Sequence, residues 1–148
     1  MAKYKKLKIV CDACCHKPNA HLGFIGKGKS AGGIIFLDED GMVVSEFGVY
    51  LGDMTPPQAE YTTMIRALDK AASICRGVIE VWLDSEFVVK QMNGDYGIKS
   101  DNMKPLYDEA KKLERRFTNV EYFHHGRNSA LAKTADQLAE REYRKHQS

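Results

Sequence analysis

The sequence has no long hydrophobic run. Its apolar stretches are of strand length and fall well short of the roughly 20 residues that a transmembrane helix needs. Half of the first eight residues are lysine, and they contain no apolar segment of the kind found in a signal peptide. These absences predict a cytoplasmic protein with no membrane-inserted part.

A strong excess of charge of one sign is also missing. The chain carries 22 Lys and Arg against 20 Asp and Glu, for a formal net charge of +2. The overall charge therefore does not by itself indicate a nucleic-acid partner. With 148 residues, we expect one domain over 1–148, with basic tails at about 1–6 and 143–148. We expect it to be a monomer with no obligatory protein partner.

Cysteine is sparse, with four residues in the chain. In a reducing compartment we expect free thiols rather than disulfides. Cys11, Cys14, Cys15 and His16, with His21 nearby, could also be interpreted as a zinc site. A structural zinc site usually brings a second ligand pair at a defined distance, and none is visible in the sequence. A small thiol-metal protein therefore stays as a minor alternative.

The pattern of apolar and turn-forming residues predicts three strands, a helix, a strand, two helices, a strand and a C-terminal helix. A long loop is expected over 16–30. Strands interleaved with helices predict an α/β fold, in which a five-stranded mixed sheet has three antiparallel strands, then parallel additions, and helices on both faces. The strands are predicted at 7–11, 33–37, 42–51, 78–83 and 120–123, and the helices are predicted to begin near Thr55, Ser85, Ser100 and Thr134, with Gly77 closing the first.

Four acidic residues stand at the predicted ends of elements. Asp12 and Asp84 each end a strand, and the carboxyl ends of adjacent parallel strands line a common crevice. Glu60 and Asp136 are expected in the first turns of their helices, where the helix dipole favours the ionised carboxylate. Taken singly, Glu60 and Asp136 can be explained as acids that cap their helices, and Asp84 as an N-cap residue. If the four converge, Mg²⁺ or Mn²⁺ would neutralise their mutual repulsion.

The segments around these acids resemble ribonuclease H of type 1. They are Ile-Val-Cys-Asp12, Gln-Ala-Glu60-Tyr, Leu-Asp84-Ser and Ala-Asp136-Gln-Leu-Ala, and the resemblance runs from about residue 7 to 142. It implies the ribonuclease H-like fold and an endonuclease that hydrolyses the RNA strand of RNA–DNA hybrids with two Mg²⁺ ions, or Mn²⁺ as a substitute. It further implies that Asp12 bridges both ions, that Glu60 and Asp84 complete their shells, and that Asp136 helps hold the second.

The same resemblance implies further site residues. A His shortly before the last Asp assists proton transfer or product release in the family, and His125 is the candidate here. Hybrid duplexes are recognised through backbone shape and 2′-hydroxyls rather than base edges. The candidate substrate contacts are Asn19, Gln58, Ser85, Arg127 and Asn128.

Some positions depart from the family pattern. Ala13 replaces the Gly after the first Asp, Pro56 and Pro57 replace an Asn pair, and Glu86 replaces a Gln. Two alternatives stay open: a nuclease of the same superfamily with another nucleic-acid substrate, and a catalytically weak nucleic-acid-binding relative. Retention of all four acids argues against a mere binder, because negative charge facing phosphates weakens binding.

Overall fold

The computed structural model describes residues 3–16, 27–98, 101–126 and 129–147. Strands and helices follow one another there in the predicted order. They are β1 (Tyr4–His16), β2 (Gly28–Leu37), β3 (Val43–Met54), α1 (Pro56–Ala71), β4 (Cys75–Leu83), α2 (Glu86–Met92), α3 (Lys104–Glu114), β5 (Asn119–His124) and α4 (Ala130–Lys145).

The strands form one mixed sheet in the order β3-β2-β1-β4-β5. β1, β2 and β3 are antiparallel, whereas β4 is parallel to β1 and β5 to β4. Helices α1, α2 and α3 cover one face over the larger core, and α4 covers the other over β1, β2 and β3. The predicted α/β fold is confirmed. Among the described residues, no helix is both long enough and apolar enough to cross a membrane.

Helix α1 begins as predicted, with a capping box. The Thr55 hydroxyl accepts from the Gln58 backbone N–H, and the Gln58 side-chain oxygen accepts from the Thr55 N–H at 3.0 Å. The helix ends at Ala71, so the prediction that Gly77 closes it was wrong. Gly77 lies in β4, where a Cβ atom would come within 2.0 Å of the Lys5 carbonyl oxygen. Close strand approach, not helix termination, requires this glycine.

Strand β1 runs past Asp12, so the prediction that it ends there was wrong. Its antiparallel pairing with β2 continues from Asp12 opposite Gly33 to His16 opposite Lys29. Its parallel pairing with β4 stops earlier, at Cys11 opposite Leu83. The predicted loop over 16–30 is correspondingly shorter at both ends, and its middle, 17–26, lies outside the described residues. Asp12 is therefore the first residue beyond the parallel pair.

Two helices begin elsewhere than predicted. Helix α4 begins at Ala130, and the Ser129 hydroxyl caps it by accepting from the Ala132 N–H at 3.0 Å. Thr134 lies inside the helix and donates to the Ala130 carbonyl, so the capping box predicted there was wrong. Helix α3 begins at Lys104, after the predicted start at 100–101, of which residue 100 lies outside the described ranges.

Candidate active site

Three of the four predicted acids line one cavity at the edge where β1 and β4 separate. Asp12 is the first residue beyond their parallel pairing, and Asp84 directly follows β4. Carboxyl ends of neighbouring parallel strands open at the same sheet edge, which brings these two side chains together. The cavity has a volume of about 270 Å³ and is lined by Asp12, Ala13, Asp84, Ala132, Lys133 and Asp136.

Asp136 reaches the cavity from α4. It lies in the second turn of this helix, so the prediction that it sits in the first turn was wrong. The helix dipole falls off within the first turn and is not what holds Asp136 in place. Helix α4 instead packs across β1 and β2, and the Asp136 carboxylate shares a hydrogen bond with that of Asp12.

Glu60 does not line this cavity, but it lies near Asp12 and Asp84. It is the fifth residue of α1, just beyond the first turn in which it was predicted. Burial, followed by repulsion from Asp12 and then from Asp84, raises the pKa of Glu60 to about 8. Helix α1 packs on β1 and β2, which places Glu60 next to both aspartates.

The acids destabilise one another's charged forms. Burial, followed by repulsion from Asp84 and Asp136, raises the pKa of Asp12 to about 7. The hydrogen bond to Asp136 acts in the same direction, because protonated Asp12 donates it. Burial, and then Glu140, raises the pKa of Asp136. Asp12 and Glu60 hold their protons up to about neutral pH. Such crowded oxygen donors fit a hard divalent cation, which would replace those protons.

Lys133 is a site residue that the sequence reasoning missed. It lines the cavity beside Asp136, is exposed, and stands three residues earlier on α4. Residues three apart on a helix share a face, so the spacing of Lys133 and Asp136 could have revealed it. The misplaced helix start at Thr134 excluded Lys133 from the predicted helix and hid this relationship.

The structure does not bring His125 to the cavity wall. Its side chain is buried, with Nε2 3.3 Å from the Cys11 carbonyl oxygen, and its backbone N–H donates to the Leu83 carbonyl at 3.0 Å. It lines a separate cavity of about 120 Å³ with Lys8, Val10, Trp82, Ser129 and Leu131. The catalytic role of His125 stays a prediction that this placement does not support.

Two predicted substrate contacts already serve as helix caps. The Gln58 side-chain oxygen accepts from the Thr55 N–H, and the Ser85 hydroxyl accepts from the Val88 N–H at 3.3 Å. Glu86, which departs from the family pattern, is exposed and pairs with Lys90 at 3.0 Å. The other three predicted contacts, Asn19, Arg127 and Asn128, lie outside the described residues.

Comparison with known proteins gives a consistent picture. A family model described as reverse transcriptase-like matches residues 23–142. Ribonuclease HI of Halobacterium salinarum is 33% identical over 112 residues, covering 76% of this chain and 55% of that protein. A bifunctional protein of Mycobacterium tuberculosis is 30% identical over 91 residues, covering 62% of this chain and 25% of that protein. The chain thus spans about half of one curated relative and a quarter of the other.

Solved structures are similar over nearly the whole chain. The RNase H1 of Halobacterium salinarum matches with a TM-score of 0.83 and 28% identity, over 95% of this chain and 98% of that one. An RNase H1 designated LC11, crystallised in complex with an RNA/DNA hybrid, matches with a TM-score of 0.82 and 26% identity. That match covers 96% of this chain and 99% of the other.

Proposed function

The chain belongs to the reverse transcriptase-like family, and we propose that it is a type 1 ribonuclease H, an endonuclease that hydrolyses the RNA strand of RNA–DNA hybrids. One observation carries the proposal: Asp12, Asp84 and Asp136 line one cavity, and Glu60 lies close enough to Asp12 and Asp84 for their charges to raise its pKa. The similarity to ribonuclease HI and to an RNase H1 bound to a hybrid supports the choice of substrate.

In this proposal the four acids hold two Mg²⁺ ions, and Mn²⁺ is an alternative. Asp12 interacts electrostatically with each of the other three, so its position suits a ligand shared by both ions. When bound, the ions activate the attacking water and stabilise the leaving 3′-oxygen. Glu60 on α1, Asp84 after β4 and Asp136 on α4 would supply further oxygen ligands.

Lys133 has the position and charge to bind the backbone of the substrate. Lys133 lines the acidic cavity, where it is the one basic residue among the described lining residues. A lysine acts on phosphate as a point charge with three donors. We assign it to positioning the phosphate and not to binding metal.

Substrate selection rests on shape more than on individual polar groups. The Gln58 oxygen and the Ser85 hydroxyl are committed to helix caps, so the Gln58 amide group is the part of this pair that remains to donate to a 2′-hydroxyl. This observation favours, as a second candidate, a nuclease of the same fold that cuts another duplex. All four acids of the site come from one chain, so the site needs no residue from a partner subunit, and we propose that the enzyme acts as a monomer.

The test compares cleavage of a labelled RNA–DNA hybrid with that of duplex RNA, duplex DNA and single-stranded RNA, in Mg²⁺ and in Mn²⁺. Asp12→Asn removes a charge from the centre of the site and should abolish most of the activity. Asp40→Asn, in the exposed turn between β2 and β3, is the matched control and should leave it intact. Hybrid-selective cutting lost in D12N supports the proposal. Cutting of another substrate favours the second candidate, and no cutting in either metal overturns both.

A further inference from the structure

A second group of metal-ligating side chains lies further along β1, outside the carboxylate cavity. The Cys14 sulfur, a His16 ring nitrogen and a Glu140 carboxylate oxygen all lie within 4.8 Å of one another. None of the three lines the cavity of Asp12, Asp84 and Asp136. The proposed nuclease reaction does not use them.

The continuation of β1 beyond Asp12 creates this group. Side chains two apart on a strand point to the same face, so Cys14 and His16 both face α4. Glu140 is one helical turn beyond Asp136 and points to the same side of α4. Cys14 is buried there against Ala31, Ala139 and Tyr143.

The imidazole of His16 is held in place before any ion binds. Its ring stacks on Tyr143 with centroids 3.8 Å apart and planes 17° apart. Nε2 lies 2.8 Å and 3.0 Å from the two carboxylate oxygens of Glu140. A tetrahedral ion with bonds of about 2.0 Å to nitrogen and oxygen separates these ligands by about 3.3 Å. An ion can therefore replace the proton between His16 and Glu140 with little movement.

We propose that Cys14, His16 and Glu140 bind one Zn²⁺ ion through a thiolate, an imidazole nitrogen and a carboxylate oxygen. This donor set is the mixed sulfur, nitrogen and oxygen set of zinc, whereas Mg²⁺ prefers oxygen alone. On binding, the S–H bond of Cys14 breaks, the sulfur bonds to zinc, and the proton passes to solvent. Water completes the fourth position.

The ion would join the end of β1 to the middle of α4. These are the two elements that carry Asp12 and Asp136. Binding to the folded state alone raises stability by mass action, so Zn²⁺ should raise the thermal midpoint of the folded chain. The same addition to a His16→Ala variant should not.

Co²⁺ is the probe that separates this site from the carboxylate cavity. Under reducing conditions the wild-type protein should take up Co²⁺ with a thiolate-to-cobalt charge-transfer band that Zn²⁺ displaces. Oxygen ligands at the cavity give no such band, so Asp12→Asn should keep it. Cys14→Ser should lose it. Cys15→Ser is the matched control and should keep it, because the Cys15 thiol points elsewhere and donates to the Met54 carbonyl at 3.3 Å.

Measurements of Zn²⁺ affinity on variants of His16 and Glu140, which lie outside the core, complete the test. His16→Ala and Glu140→Gln should each weaken Zn²⁺ binding by at least about tenfold in competition with a chelating dye. His16 is exposed and Glu140 half-buried, so both variants keep the fold whether or not Cys14→Ser does. A wild-type protein without the band, a band that survives in C14S, or unchanged affinity in both H16A and E140Q overturns the proposal.

Discussion

Gly33 lies directly beneath Ala135: a Cβ atom at Gly33 would come within 1.8 Å of the Ala135 carbonyl oxygen. Gly33 is also the residue of β2 that pairs with Asp12, and Ala135 immediately precedes Asp136. The missing side chain therefore lets α4 approach the sheet at the point where the two acids meet. Close packing of a helix backbone on a strand sets the separation between Asp12 and Asp136 here.

Gly33→Ala should damage both the fold and the site. The added methyl group collides with backbone, which cannot rotate away, so α4 must shift outward at a cost of about 1–3 kcal/mol. We expect a lower midpoint in urea unfolding and weaker Mg²⁺ binding by calorimetry. Gly97→Ala is the control, since no atom lies within 4 Å of its Cβ position. Equal behaviour of G33A and G97A would show that α4 packing does not position Asp136.

The metal-free protein should lose stability as pH rises. The pKa values of Asp12 and Glu60 are raised to about 7 and 8, above their ordinary values near 4. Stability from their protonated forms is present in full below about pH 4 and is lost as pH rises through those raised values. Saturating Mg²⁺ should reduce this loss, because the cation replaces the protons. Urea unfolding at pH 5 and pH 8.5, with and without Mg²⁺, measures this change in the free energy of unfolding.

The Glu60→Gln variant measures how much the Glu60 carboxyl group alone contributes to this pH dependence. At pH 8.5 without metal the neutral amide removes a repelled charge, so E60Q should be more stable than wild type by an amount on the order of 2 kcal/mol. At pH 5 the two proteins should differ much less. Glu39→Gln, in the exposed turn after β2, provides the reference. A difference between E60Q and wild type that is independent of pH would refute the raised pKa of Glu60.

Lys133→Ala should weaken substrate binding without affecting metal. If Lys133 contacts a phosphate, its loss should raise KM several-fold and reduce the slope of log affinity against log salt by about one. Lys112→Ala, exposed on α3, is the control of equal charge change. Mg²⁺ affinity should stay the same in both variants. A fall in kcat at constant KM and an unchanged salt slope would contradict phosphate positioning.

His125→Ala should reduce stability more than turnover. The buried ring packs between β1 and α4, and Nε2 contacts the Cys11 carbonyl, so truncation leaves a cavity and an unsatisfied acceptor at a cost of about 1–3 kcal/mol. The experiment measures the thermal midpoint and kcat at a temperature where both proteins are folded. If kcat falls more than about tenfold while the thermal midpoint is unchanged, the result would support the catalytic role predicted for His125 from the sequence.

The sequence was sufficient for the order of the elements and for the three aspartates that line one cavity. Apolar residues at strand and helix periods are dictated by which face each element buries, as in α1 with Tyr61, Met64 and Leu68. Asp12 and Asp84 were recognisable because each directly follows a run of apolar strand residues, where an ionised carboxylate is costly unless it is paired or metal-bound. Each of these signals is local.

The errors arose where distant partners decide the structure. Residues 13–16 lack strand patterning, yet β2 continues to pair with them and extends β1 to His16. In α4, residues 134–137 have the sequence pattern of a capping box but lie inside the helix. The helix-favouring residues 130–133 extend the helix back to its cap at Ser129. The contacts of Lys133 and His125 depend on that earlier start and on tertiary packing, which the sequence alone does not display.

The position of Asp136 on the last described helix has a consequence for synthesis of the protein. Domains fold as they emerge from the ribosome, at about 5–20 residues per second. The sheet and α1, with Asp12, Glu60 and Asp84, leave the ribosome first, and α4 adds Asp136 afterwards. During synthesis the chain therefore lacks the fourth acid, and the proposed metal site stays incomplete until α4 has left the ribosome.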